Sequence, residues 1–229
     1  MKLMLMDVET TNKSALRTNP TQGVLALAAA FLLGISAVLT AWSAYREATA
    51  SDQVLRSYAQ MQERISYAND RYSLANSAAA YESSLFLQFA IEAGTDNIDA
   101  AEYLLTVMDE ALYDAVIWWS DLPEDVLPPT PFTDDNPYVP DLYSEQLIGE
   151  GDAFTDEAEN LRLIAEEAEA TSDRYNLANV FFAVVLFIAG LTTIVQRRSI
   201  QVAFLSISVL GLMSGLVLLI LTPGWASLG

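Results

Sequence analysis

Residues 22–93 contain no proline and only two glycines, Gly23 and Gly34, and carry one heptad register from end to end. One column reads Gly23, Ala30, Ala37, Ala44, Ser51, Tyr58, Ile65, Tyr72, Ala79, Phe86. The other reads Ala26, Leu33, Thr40, Glu47, Val54, Met61, Ala68, Ala75, Glu82, Phe89. A 3–4 alternation of mostly apolar or small residues, held this long, belongs to a helix packed along one seam. Its first third is apolar all round and long enough to cross a bilayer; the rest is polar everywhere but the seam. The expectation is one helix that spans a membrane and continues outward as a stalk. At ~1.5 Å per residue it is on the order of 105 Å long, with ~30 Å in lipid.

Two further apolar runs, about 177–196 and 202–222, join the first at 23–44, and none contains Asp, Glu, Lys, Arg or His. The first run is too long for a cleavable signal core, and its seam continues through any cleavage point, so it reads as an anchor. Lys13 and Arg17 precede the first run, and Arg197 and Arg198 separate the other two. The positive-inside rule places both groups in the cytoplasm. The N-terminus is then inside, while 45–175 and the C-terminus are outside. Trp42, Tyr45, Tyr175 and Trp225 fall at the outer interface, where amphipathic rings are favoured.

The expected fold is an all-α membrane protein. Residues 1–21 form a loosely ordered cytoplasmic tail and 22–44 the first transmembrane helix. The outer domain, 45–175, holds a long helix 45–93 capped at Gly94 and a short helix 96–121 capped by Asp96. The short helix has an apolar face of Ile98, Ala101, Leu105, Met108, Leu112, Ala115 and Trp119. The segment 122–140 holds six of the eight prolines. It is expected to be extended, partly polyproline-like, and packed by Phe132 and Tyr138. A helix 141–175 then runs into the second span, 176–196. Its seam reads Leu147, Phe154, Leu161, Ala168, Tyr175, Phe182, Ala189, alternating with Gly151, Ala158, Ala165, Ser172, Asn179, Leu186, Thr193. Gly149 and Gly151 weaken its start, each by about 1 kcal/mol against alanine. A loop 197–200, a third span 201–222 and an outer end 223–229 complete the chain. The whole reads as an antiparallel coiled-coil stalk, not a globular head. Gly211 and Gly215 offer a small-xxx-small face for close packing in lipid.

The net charge is −19, and from Glu82 to Glu159 there are twenty acidic residues and no basic one. Such a surface repels nucleic acid and anionic headgroups. It reads as a solvated, salt-adapted surface more readily than as a cation site. Without histidine or cysteine, the His- and Cys-based nucleophile systems and the commonest zinc and haem ligand sets are excluded. No phosphate-cradling glycine loop is present. Asp134, Asp135 and Asp141 are acidic neighbours without the spacing of a calcium loop. No catalytic, cofactor-binding or metal residue is therefore assigned. The spans carry no ionisable group, which argues against a coupled transporter. Ser36, Thr40, Thr192 and Thr193 would line a pore, or else serve packing.

One octapeptide recurs: Asn69-Asp70-Arg71-Tyr72-Ser73-Leu74-Ala75-Asn76 matches Ser172-Asp173-Arg174-Tyr175-Asn176-Leu177-Ala178-Asn179 at six of eight positions. Ala41-Trp42 with Tyr45, Leu85-Phe86-Leu87-Gln88-Phe89, Pro128-Pro129-Thr130-Pro131-Phe132 with Tyr138, and Ser172-Asp173-Arg174-Tyr175 before a Phe-rich span carry a wider likeness. In these motifs and their order the chain resembles a bacterial family of three-span membrane proteins with an outward helical stalk and no known activity. The resemblance implies a multi-pass protein of the bacterial plasma membrane and adds no mechanism. The functional expectation is a non-enzymatic oligomeric scaffold or accessory subunit. Its partners would be membrane lipid and further copies or the subunits of a membrane complex. The alternatives are a homo-oligomeric ion channel and an outward-facing sensor with a separate output chain.

Overall fold

The computed structural model describes residues 20–195 and 197–223. Residues 1–19, Gln196 and 224–229 lie outside the described residues, and with them Lys13, Arg17 and Trp225, on which the expected orientation partly rests. Every α or β element among the described residues is a helix: α1 (Pro20–Gly94), α2 (Ile98–Val107), α3 (Glu110–Ser120), α4 (Tyr143–Ile194) and α5 (Arg198–Leu221), with a 3₁₀ turn at Val139–Asp141. Three of them, α1, α4 and α5, contain stretches long and apolar enough to cross a membrane. The chain divides into two compact units: residues 1–55 with 165–229, the span unit, and residues 56–164, the polar unit.

In the span unit α1 does not use the register its heptads suggest. Ala29, Ser36, Ser43 and Ala50 are buried, with Leu33, Thr40 and Glu47 half-buried beside them, whereas Gly23, Ala30, Ala37 and Ala44 are exposed. Only one of the two expected columns faces the rest of the unit. A segment small or apolar on every side gives the heptad nothing to choose between. A straight helix also drifts by ~20° per heptad from a strict 3.5 repeat. On α4 one of the two expected columns is buried, Ala168, Tyr175, Phe182 and Ala189; beside it Ala178, Val185 and Thr192 are buried in place of the expected Asn179, Leu186 and Thr193. Helix α5 closes on it through its glycines. A Cβ on Gly215 would lie 2.5 Å from Phe182 Cε1, and one on Gly211 would lie 2.9 Å from Val185 Cγ2. These glycines serve the close helix approach that lipid-embedded packing rewards. The link is tighter than a 197–200 loop: α4 ends at Ile194 and α5 starts at Arg198. Gln201 donates its amide to Thr192 O (3.3 Å) and Val195 O (2.7 Å), satisfying end carbonyls of α4.

The polar unit has a core of its own. Leu85, Phe86 and Phe89 of α1, Ala101, Met108, Leu112, Ala115 and Val116 around α2 and α3, and Leu142 before α4 form one buried cluster. The seam reading does not include this cluster, a small helical core that α2 and α3 build with α1. The single helix expected over 96–121 is two. Met108 is extended (φ −72°, ψ 147°), and Asp109 restarts the chain by accepting the Leu112 amide at 2.8 Å. The turn before α2 also differs from expectation. Asp96, not Gly94, takes the left-handed conformation (φ 56°), with Asn97 N on Glu92 O (3.0 Å) and Asp96 N on Ala93 O (3.4 Å). This is a Schellman closure with Asp in the position glycine usually holds. The cap of α2 is therefore Asn97, which makes no side-chain capping bond.

The proline segment is a run of turns rather than an extended strap. Val126 N bonds Pro123 O, Asn136 N bonds Thr133 O, and Val139 N bonds Asn136 O. Asn136, 1% exposed, fastens the segment to α3: its amide donates to Ala115 O and Pro131 O, and its Oδ1 accepts from Tyr138 N. Trp119 Nε1 donates to Pro128 O at 2.7 Å. Phe132 packs as expected, edge-on to Phe86 at 5.8 Å. Tyr138 stays at the surface.

Candidate functional surfaces

In the polar unit α1 and α4 run antiparallel. Arg64 pairs with Glu157 (3.1 Å) and Arg71 with Glu150 (3.0 Å), so numbers rise on one helix as they fall on the other. Half-exposed pairs of this kind contribute about 0–1 kcal/mol each, so they serve register more than stability. The closer contacts lie between them. Gly151 leaves room for the Tyr72 ring, since a Cβ there would come 2.6 Å from Cε1. The Tyr72 hydroxyl then reaches Asp152 Oδ1 at 2.7 Å and Thr155 Oγ1 at 3.2 Å. The glycine that reads as a helix weakness is thus a seat for an aromatic ring. Further along, Glu82, 3% exposed, accepts from Ser144 N (3.1 Å) and Ser144 Oγ (2.5 Å). It caps the first turn of α4 from a different helix.

Beside this pairing runs a groove of about 410 Å³ lined by Arg64, Tyr67, Asp70, Arg71, Leu74 and Phe154. Tyr67 and Phe154 are in ring contact at 5.6 Å, with the Arg64 guanidinium 5.9 Å from each ring. The Tyr67 hydroxyl donates to Glu63 Oε1 at 3.0 Å. That hydrogen bond, with the Glu63 charge, holds the phenol above its ordinary pKa. On α4, Arg162 grips Glu159 through two hydrogen bonds and holds that carboxyl below its ordinary range.

The repeated octapeptide places both tyrosines in helix packing, each against a small residue. In the span unit, Tyr175 is 1% exposed, accepts Ser43 Oγ on its carbonyl (2.9 Å) and meets Trp42 edge-on at 6.0 Å. The Arg46 guanidinium lies 6.0 Å from the Trp42 ring and 5.7 Å from Tyr175, and its Nε donates to the Tyr175 hydroxyl. Next to it, Asn179 Nδ2 donates to Glu47 Oε2 at 3.2 Å. The unit also has an apolar groove of about 520 Å³ between α1 and α5, lined by Leu25, Ala28, Leu32, Val202, Leu205, Ser206, Val209 and Leu210.

Of the hydroxyls considered for a pore, Thr40, Thr192 and Thr193 donate to carbonyls of their own helices, and Ser36 is fully buried. Asp134, Asp135 and Asp141 are exposed, and among the described residues no group of three acidic side chains could hold a metal ion. Glu82, Asn136 and Gly151, which organise the polar unit, are not legible as such in the sequence. The visible hints are a glutamate, Glu82, and a glycine, Gly151, standing in seam columns. Compared with protein-family models, with curated proteins and with solved structures, the chain finds no match in any of the three.

Proposed function

We propose that this chain is a non-enzymatic integral protein of the bacterial plasma membrane, acting as an oligomeric scaffold or an accessory subunit. In this reading α1 and α4 continue outside the bilayer as a coiled-coil stalk, with the Arg197–Arg198 link inside. The observation that carries it is how the polar unit uses its reactive-looking groups. Arg64, Arg71, Tyr72 and Glu82 are spent on holding α1 to α4, while Tyr67, Leu74 and Tyr81 stay on the surface. Such a unit offers a face rather than a reaction site. For the oligomeric part, α1 has a second face in the span unit. Gly23, Ala26, Ala30, Gly34, Ala37, Ala41, Ala44 and Ala48 are all exposed, on a flank roughly 100° round the helix from Ser36 and Ser43. Small residues in this pattern allow close helix approach in lipid.

Gentle detergent extraction followed by mass measurement of the intact assembly tests the reading. More than one 25.1 kDa chain, or a stoichiometric second polypeptide, is the expected result. A lone chain with no partner refutes it. Ala37→Trp supplies the internal check. Because Ala37 is exposed within the chain, the variant should fold normally and lose only self-association.

A further inference from the structure

We infer that the groove beside α1 in the polar unit is the docking site for a basic amphipathic helix of another protein; this rests on the accessory-subunit reading. Tyr67, Leu74 and Tyr81 recur at intervals of seven on α1, two helical turns each, and so form one row. They are 42%, 49% and 60% exposed, large side chains for a helix face bordering water. Phe154 of α4 extends the row sideways, in ring contact with Tyr67. A row of apolar side chains at heptad spacing next to a groove between two helices is the receiving half of helix-in-groove recognition.

Charge decides the occupant. The polar unit carries 22 acidic residues against four arginines, a net charge of −18. Two of those arginines, Arg64 and Arg71, are already paired with Glu157 and Glu150 at the groove. Glu63 and Asp70 flank the row on α1. A second copy would bring the same −18 against it, and like charges brought together at an interface cost affinity and slow encounter. A helix with leucine-like side chains along one face and lysine or arginine beside them matches both the row and its rim.

The probe is a synthetic helix about three heptads long with two leucines per heptad flanked by lysines. A fluorescent form is titrated into the full chain in nanodiscs of zwitterionic lipid, with empty discs subtracted. Saturable binding is expected, weakened by rising salt and reduced about tenfold or more by Leu74→Asn with Tyr81→Ser, a loss of about 1.4 kcal/mol. Leu87→Asn, at an equally exposed position on another face of α1, should leave it unchanged. No saturable binding, equal binding of a glutamate-flanked twin, or an equal loss with Leu87→Asn overturns the inference. The two failures are separable. A native assembly that keeps its partner when Leu74 and Tyr81 are changed sinks the groove and leaves the scaffold reading standing. A chain found alone sinks the scaffold reading itself.

Discussion

Glu82 occupies a seam position where heptad logic wants an apolar side chain, and its surroundings account for it. Its carboxylate takes two donors from Ser144 at the first turn of α4, where backbone N–H groups lack helical partners. Glu82→Leu should cost about 1–3 kcal/mol, read as a lowered thermal midpoint, because it leaves the Ser144 donors unmet in a buried place. Gly149 and Gly151 make a sharper pair. Gly149 faces open space, so Gly149→Ala should stabilise by about 0.5–1 kcal/mol. Gly151→Ala must displace the Tyr72 ring and should destabilise by about 1–3 kcal/mol. Equal effects at the two sites would contradict the seat described for Tyr72. The titrating pair nearby gives opposite pH arms. The Glu159–Arg162 contribution is complete above the ordinary glutamate range and is lost as pH falls through the lowered value. The Tyr67 contribution is complete below the ordinary tyrosine range and is lost as pH rises through the raised value. Both groups are exposed, so the arms are shallow. In thermal midpoints followed against pH, Arg162→Gln should make the fall on the acid side slightly shallower, and Glu63→Gln the fall on the alkaline side.

At the scale of elements, the seam separates positions that look alike in sequence. Ala68 and Ala75 are 3% and 2% exposed, whereas Ile65 is 39% exposed. Ala75→Asp should therefore destabilise by several kcal/mol, about 3 or more, since it buries an unpaired charge. Ile65→Asp should cost about 1 kcal/mol or less, closer to a surface change such as Gln62→Asp. Chemical denaturation of the three variants side by side checks the order. The long helices and their apolar stretches were legible because periodicity and hydropathy act over tens of residues. One column of α4 was legible too, because large residues such as Tyr175 and Phe182 mark it, whereas the second column falls one residue away from the buried Ala178, Val185 and Thr192. The α1 register in the span unit was not: alanine, serine and glycine on both sides leave periodicity without contrast. The break at Met108–Asp109 was hidden because Met108, Leu112 and Ala115 keep the helical spacing across it. The core of the polar unit was hidden because it is closed by Asn136 donating to Ala115 O of α3 and by Trp119 donating to Pro128 O, bonds that no pattern of side-chain hydropathy encodes.

For the whole molecule, orientation is the first thing to measure. Ser84 is exposed in the polar unit, whereas Ser144 is 4% exposed and bonded to Glu82, so Ser84 is the proper site for a cysteine probe. Ser84→Cys should react with an impermeant thiol reagent in intact cells, and Ser199→Cys should not; the opposite pattern inverts the proposed topology. The proposed stalk and the proposed docking groove both depend on α1 and α4 staying paired, antiparallel and in one register, within the polar unit. Cysteine pairs read this directly. Arg64→Cys with Glu157→Cys, and Arg71→Cys with Glu150→Cys, replace partners in contact, while Arg64→Cys with Glu150→Cys is displaced by seven residues, roughly 10 Å along the helix. A short bis-maleimide applied to the full chain in native membranes should link both matched pairs within one chain and leave the displaced pair open. Linkage of the displaced pair alone, or of none, would contradict the account.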